Sequence, residues 1–382
     1  MFPEGEQGMA RSYGVVDSDA HVLEPGDLWR QYMEQKFRDR APVVTTLEDG
    51  KEVFRVEAGY EVPVGTVFEG TKVSFGGVGM RDGKMPKGNS YFDGRPGGFD
   101  PHKRMPDMDA EGIDAAFLYP SLGLLVGAIG DAEAATAACV AYNRWLADYC
   151  DKYPDRLFGI AIIPMQSPQV AVAEIRRVRV AGFRAGYIRP QPYYGRPLHH
   201  PDNDAIWQAA EELDFAIAIH AAAAPVGSSL LGQDRFAANY CTMHCATHTI
   251  EMMAAATSFI MCRICDRFPA LRVGFMEAGG GWMAGYIERM DRHFDDVSMN
   301  NTGLTTRPSE IFHRQCFISF EPVERSLPLL ADIVGRSNIL WASDYPHSDG
   351  FVDAPGMLRK LLQPDLLKDV MAAGAKRFYG LS

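Results

Sequence analysis

From residue 110 onward, short apolar runs alternate with longer stretches whose apolar positions recur at helical spacing. That alternation predicts buried parallel strands covered by helices. Together with one run near the N-terminus, it gives eight strand candidates: Val15–Asp19, Ala115–Pro120, Phe158–Pro164, Phe183–Arg189, Phe215–His220, Arg272–Glu277, Cys316–Phe320 and Asn338–Asp344. An open doubly wound sheet would carry a glycine-rich phosphate turn after its first strand. Here an acid and a histidine stand in that place, and polar groups follow the first, fifth and eighth candidates. A closed barrel brings those distant carboxyl ends into one ring. The expected fold is therefore α/β, a distorted (β/α)8 TIM barrel.

The long interval between the first two strands, Ala41 to Pro106, is glycine-rich and too long for an ordinary loop. It is expected to be an insertion or lid over the site, the alternative being an uninvolved surface excursion. Residues 1–14 read as a flexible N-terminal tail, and residues 15–382 as a single domain.

Composition narrows the partners. A net charge of −11 without any Lys/Arg-rich run argues against nucleic acid. No apolar stretch approaches membrane-spanning length, and seven scattered cysteines suit a reducing cytoplasm. Cys262-Arg263-Ile264-Cys265, with Cys241 and Cys245 upstream, has the spacing of a zinc knuckle; free cysteines on a buried helix face are the competing reading.

Candidate chemistry gathers at the strand ends. Asp19 and His21 are two apart, so both can face one ion. His220 ends an apolar run and is followed by Ala221–Ala224, which offers its imidazole no side-chain partner, while Asp344 ends another and precedes Tyr345-Pro346. Burying such a carboxylate without a partner costs several kcal/mol. Asp19, His21, His220 and Asp344 make a set of two oxygens and two nitrogens suited to one divalent ion, zinc foremost, with manganese, cobalt or iron possible. There is no lysine between Lys152 and Lys360, so strands three to eight cannot supply a carbamate bridge, and a mononuclear site is expected. His248, with His244 as competitor, is the candidate proton-transfer group. Glu277 would orient an imidazole or act with His248 and Asp344 in catalysis; Arg189, Trp282 and His347 are candidate substrate contacts.

With these residues in view, the chain resembles the second amidohydrolase family, which includes metal-dependent decarboxylases of aromatic and unsaturated acids. The resemblance runs through Val16-Asp17-Ser18-Asp19-Ala20-His21, Met108–Asp114, Leu118-Tyr119-Pro120-Ser121, Tyr142–Trp145, Pro154–Gly159, Arg267–Arg272, Glu277–Trp282 and Ser343-Asp344-Tyr345-Pro346-His347. It implies a distorted barrel, usually dimeric, with one divalent ion on Asp19, His21, His220 and Asp344 and with His248 transferring the proton. Asp19 stands where many relatives carry a first histidine. The implied activity is non-oxidative decarboxylation of a hydroxy-aromatic or unsaturated carboxylic acid. The alternatives are hydrolysis of an amide, ester or lactone by metal-activated water, and a metal-binding module without catalysis.

Overall fold

A computed structural model describes residues 12–58, 60–64, 90–127, 129–221, 231–236 and 240–382. Eight parallel strands follow one another around a nearly closed barrel: β1 (Val16–His21), β5 (Ala115–Tyr119), β6 (Leu157–Ile162), β7 (Ala185–Ile188), β8 (Ala216–His220), β9 (Val273–Met276), β10 (Cys316–Phe320) and β11 (Ile339–Trp341). Between β1 and β5 lies a separate antiparallel sheet of β2 (Val43–Thr46), β3 (Glu52–Glu57) and β4 (Tyr60–Pro63). Each of the eight expected strands is present. Their residues are almost all buried, as strands covered on both faces must be.

The barrel is distorted at its seam. β1 and β11 share no continuous ladder; instead Asp344 N donates to Asp19 O (3.0 Å) and His21 N to Tyr345 O (2.6 Å). The buried Asp17 carboxylate accepts from both the backbone N–H and the hydroxyl of Ser343, tying the first strand to the last. Burial raises the Asp17 pKa to about 6, with the Ser343 bonds opposing that rise. From the C-terminal helix (Gly374–Tyr379), Tyr379 stacks on Phe117 and donates its hydroxyl to Ser18 O (2.6 Å). Gly374 is required there because a Cβ would fall 1.8 Å from Ile339 O.

The insertion departs from its expected boundary. A helix begins at Pro101 and continues to Glu111, so residues 101–106 already belong to the first barrel helix. Asp100 caps it through His102 N, and Pro101 occupies the first turn, where its missing N–H is harmless. That start outweighs the interior Pro106. The small sheet packs Phe54 on Trp29, takes a bond from Gly130 N to Glu57 (3.0 Å), and places Tyr60 beside Arg189. It thus adjoins loops that follow β5 and β7. Residues 65–89 of the expected lid, and the stretch 222–230 after His220, fall outside the described residues.

Among the described residues, no helix is long and apolar enough to cross a membrane. The Cys262–Cys265 spacing makes no zinc knuckle within them: Cys265 is buried with its sulfur 3.9 Å from that of Cys316, and no cysteine joins a metal-like cluster.

Candidate metal centre

Strand ends β1, β8 and β9 and the turn after β11 deliver their polar side chains to one end of the barrel, where Asp19, His21 and His220 form one cluster of possible ligand atoms and Asp344 meets it through His21. The β1–β5 register shifts between Asp17 and Ala20, a bulge that re-aims the end of the strand. It brings Asp19 Oδ1 to 3.5 Å from His21 Nε2. His220 Nε2 lies 3.6 Å from Asp19 Oδ2, and His21 Nε2 lies 3.1 Å from Asp344 Oδ1. Glu277 and Asp344 hold left-handed backbone conformations (φ 48° and 53°), a costly state for non-glycine residues that is common where a side chain must be aimed. Gly350 turns the following loop back onto Asp344, where a Cβ would sit 2.7 Å from the Asp344 carbonyl oxygen.

These residues fit a divalent cation. Both Asp19 oxygens, His21 Nε2 and His220 Nε2 are buried without a hydrogen-bond partner, a combination that folded proteins avoid, and Asp344 Oδ1, held at 2.9 Å by His347 Nδ1, faces His21 Nε2. Ligands about 2.1 Å from a common centre stand roughly 3.0–3.5 Å apart, and the observed separations of 3.1–3.6 Å have that scale. Each imidazole is also set up from behind. His21 Nδ1 pairs with Pro120 O (2.8 Å) and His220 Nδ1 with Ala221 O (2.6 Å), which assigns their protons to Nδ1 and leaves Nε2 as a lone pair facing the centre.

Electrostatics agree with that reading. Burial, reinforced by His347, lowers the His21 pKa to about 3, and burial lowers that of His220 to about 4, so both rings are neutral, the form in which an imidazole can bind a metal. Asp19 is pushed well above the usual carboxylate range by burial and then by Glu277, Asp344 and Asp17. Burial also opposes ionisation of Asp344, but His347 and His21 outweigh it and hold this carboxyl below its ordinary range. His347 moves the other way: against the effect of burial, Asp344 raises its pKa to about 9.

The other expected site residues separate by position. His248, Glu277 and His244 line an open cavity of about 420 Å³ together with Asp19, Asp344 and Asp349. The helix that carries His248 starts at Tyr240 and runs to Phe259, so His244 and His248 lie one turn apart inside it, their rings stacked with centroids 3.8 Å apart. Burial, then His244, holds His248 neutral. Glu277 does not orient His220 from behind; its Oε2 lies 2.8 Å from His220 Nε2, on the side of the converging ligands.

His347 is buried, with Nδ1 on Asp344 (2.9 Å) and Nε2 on Ser121 (2.8 Å), so both ring nitrogens are engaged in holding Asp344 and a neighbouring loop. Trp282 lies outside the cavity's described lining; its N–H donates to Gly279 O (2.9 Å), and its ring packs edge-on to Tyr286. Arg189 also lies outside that lining, with Nε on Gln191.

Three residues join the setting that sequence reasoning had not singled out. Asp349 stands five positions beyond Asp344, a short acidic repeat that marks the turn. Glu24 is buried and accepts N–H bonds from Ser121, Leu122 and Gly123, fixing the loop that carries the His347 partner. Asp17 closes the seam beneath Asp344.

Comparison with known proteins follows the same lines. The amidohydrolase family model matches residues 16–381. The 2-amino-3-carboxymuconate-6-semialdehyde decarboxylase of Dictyostelium discoideum is 23% identical over 288 residues, covering 74% of this chain and 77% of that one. A solved amidohydrolase from Mycobacterium avium subsp. paratuberculosis superposes with a TM-score of 0.78 at 22% identity, covering 98% of this chain and 99% of that one. A dihydroxybenzoic acid decarboxylase from a Polaromonas species, crystallised with manganese and the inhibitor 2-nitroresorcinol, superposes with a TM-score of 0.65 at 16% identity, covering 97% and 98%. The two structural matches establish the shared barrel. The family match, spanning almost every described strand and helix, establishes descent: this chain is an enzyme of the amidohydrolase family.

Proposed function

We propose that this enzyme is a metal-dependent, non-oxidative decarboxylase of a hydroxy-aromatic or unsaturated carboxylic acid. The observation that carries the reading is the set of buried ligand atoms of Asp19, His21, His220 and Asp344 beside an open cavity that Asp19 and Asp344 line. The decarboxylase names of two of the similar proteins support that reaction class. Those four residues would hold one divalent ion, zinc or manganese fitting best, which supplies positive charge to bind a carboxylate and a neighbouring oxygen.

The chain's own residues would do the rest. His248 faces the cavity from the helix wall and is neutral in the free protein. An anionic substrate beside it favours the imidazolium, so binding itself would charge the ring. Transfer of that proton to the carbon bearing the carboxylate forms the C–H bond while the C–C bond breaks, its electron pair remains on carbon, and CO₂ leaves. Asp344, steadied by His347, keeps the cavity floor aligned. The β2–β4 sheet, beside loops at the carboxyl ends of the barrel, would act as the lid that excludes water.

The experiment is a panel of carboxylated phenols, unsaturated acids, esters and lactones turned over in ¹⁸O-water. Release of CO₂ with no label in the product supports the proposal. Label incorporation without CO₂ would replace it with hydrolysis.

A further inference from the structure

We propose that Glu324, in the loop after β10, is a positioning residue for the reaction. By holding the turn between β9 and the following helix (Gly281–Asp295), it fixes where Glu277 and His248 stand in the cavity. The positioning is a matter of geometry; its kinetic consequence rests on the reaction proposed above.

The left-handed backbone of Glu277 (φ 48°) persists only where its surroundings over-determine it. The turn cannot do that by itself. Ala278, Gly279, Gly280 and Gly281 carry no polar side chain, and the helix that starts at Gly281 has no side-chain cap at Gly280. The missing acceptor comes from 44 positions away. Glu324 Oε1 accepts from the N–H groups of Gly280 (2.9 Å) and Glu321 (2.8 Å), and Oε2 from those of Gly280 and Gly281 (both 3.1 Å). Charge-assisted bonds of this kind are strong, and a carboxylate suits the positive end of the helix dipole. The turn is also pressed against the end of β10, since a Cβ on Gly280 would fall 2.3 Å from the Phe320 ring.

Two further bonds carry this clamp to the groups that face the cavity. Thr249, the neighbour of His248, donates its hydroxyl to Ala278 O (3.3 Å), and the Trp282 N–H donates to Gly279 O (2.9 Å). The backbone that follows Glu277 is thus tied to the helix bearing His248 on one side and to Glu324 on the other. Glu324 lines the same cavity, but both of its oxygens are engaged by backbone N–H groups. It therefore acts through the turn rather than on a bound molecule.

Crystal structures of the metal-free full chain and of its Glu324→Ala and Glu324→Gln variants test the positioning without substrate. Glu324→Ala should lose the 2.8 Å approach of Glu277 Oε2 to His220 Nε2, while Glu324→Gln, which keeps one acceptor oxygen, should retain it. Gly280→Ala, which forces the same turn off Phe320, should displace Glu277 as well. In turnover, Glu324→Ala should lower kcat about ten- to a hundredfold with KM and bound Mn²⁺ unchanged, and Glu324→Gln should recover most of that loss. A residue that only stabilised the fold would leave kcat per folded molecule intact, and one that touched substrate would raise KM. Either kinetic result, or an unmoved Glu277 in Glu324→Ala, would overturn the inference. Because the structures are read without substrate, a displaced Glu277 in a protein that releases no CO₂ would count against the proposed reaction alone.

Discussion

Asp344 is where burial, charge and geometry meet. Its carboxyl is ionised against the cost of burial because His347 and His21 surround it. Asp344→Asn should weaken Mn²⁺ binding by at least about tenfold and abolish turnover while the barrel stays folded, as read by metal content, activity and circular dichroism. His248→Asn should retain the ion and lose turnover; loss of the ion instead would make His248 a ligand. Asp19 carries a pH prediction whose sign is set by its raised pKa. In the metal-free protein its carboxyl keeps a proton at pH values where an ordinary aspartate has lost it, so metal uptake must displace that proton. Affinity should then rise with pH, and calorimetry in two buffers of different ionisation enthalpy should register proton release. Uptake without proton release would show that Asp19 is already ionised.

The four candidate ligands stood out in the sequence because they end apolar runs, where a carboxylate or imidazole is costly to bury unless something binds it. The roles of Glu277, His347 and Trp282 were not, since they depend on which way a turn points its side chain. Nothing in Glu277-Ala278-Gly279-Gly280-Gly281-Trp282 reveals that the acid faces the ligand centre while the indole turns back onto Gly279.

At the scale of elements, the eight strands were readable from hydrophobic runs because parallel barrel strands are buried on both faces. Boundaries were less readable. Asp100 and Pro101 start a helix that runs through Pro106, inside the stretch expected to be insertion, and the helix bearing His248 extends upstream through a polar stretch where Thr247 bonds the Met243 carbonyl (2.8 Å). The barrel seam was invisible to pattern reading, because a buried aspartate on the first strand and a serine before the last site residue form an unremarkable pair until they are brought together. Ser343→Ala should cost about 1–3 kcal/mol in urea denaturation, since it leaves the buried Asp17 carboxyl short of a donor. The same variant should loosen the metal, as Ser343 adjoins Asp344. A stable variant with unaltered metal affinity would show that the seam does not transmit position to the site.

At the scale of the molecule, one site draws on elements from residue 19 to residue 344, so occupancy should stabilise the whole barrel. At a free metal concentration about a hundredfold above Kd, the gain is about 2.7 kcal/mol. Thermal unfolding with Mn²⁺ should therefore occur several degrees above unfolding in chelator. Identical midpoints would mean that no ion binds the folded state with useful affinity. Membership of the amidohydrolase family gives the barrel its context, yet the convergence of the ligand atoms carries the functional reading. The direct measurement is an anomalous difference map collected at the manganese edge from crystals grown with Mn²⁺. The account predicts a strong peak about 2.1–2.2 Å from Asp19, His21, His220 and Asp344 together. A flat map at that point, with these side chains turned to other partners, would contradict it.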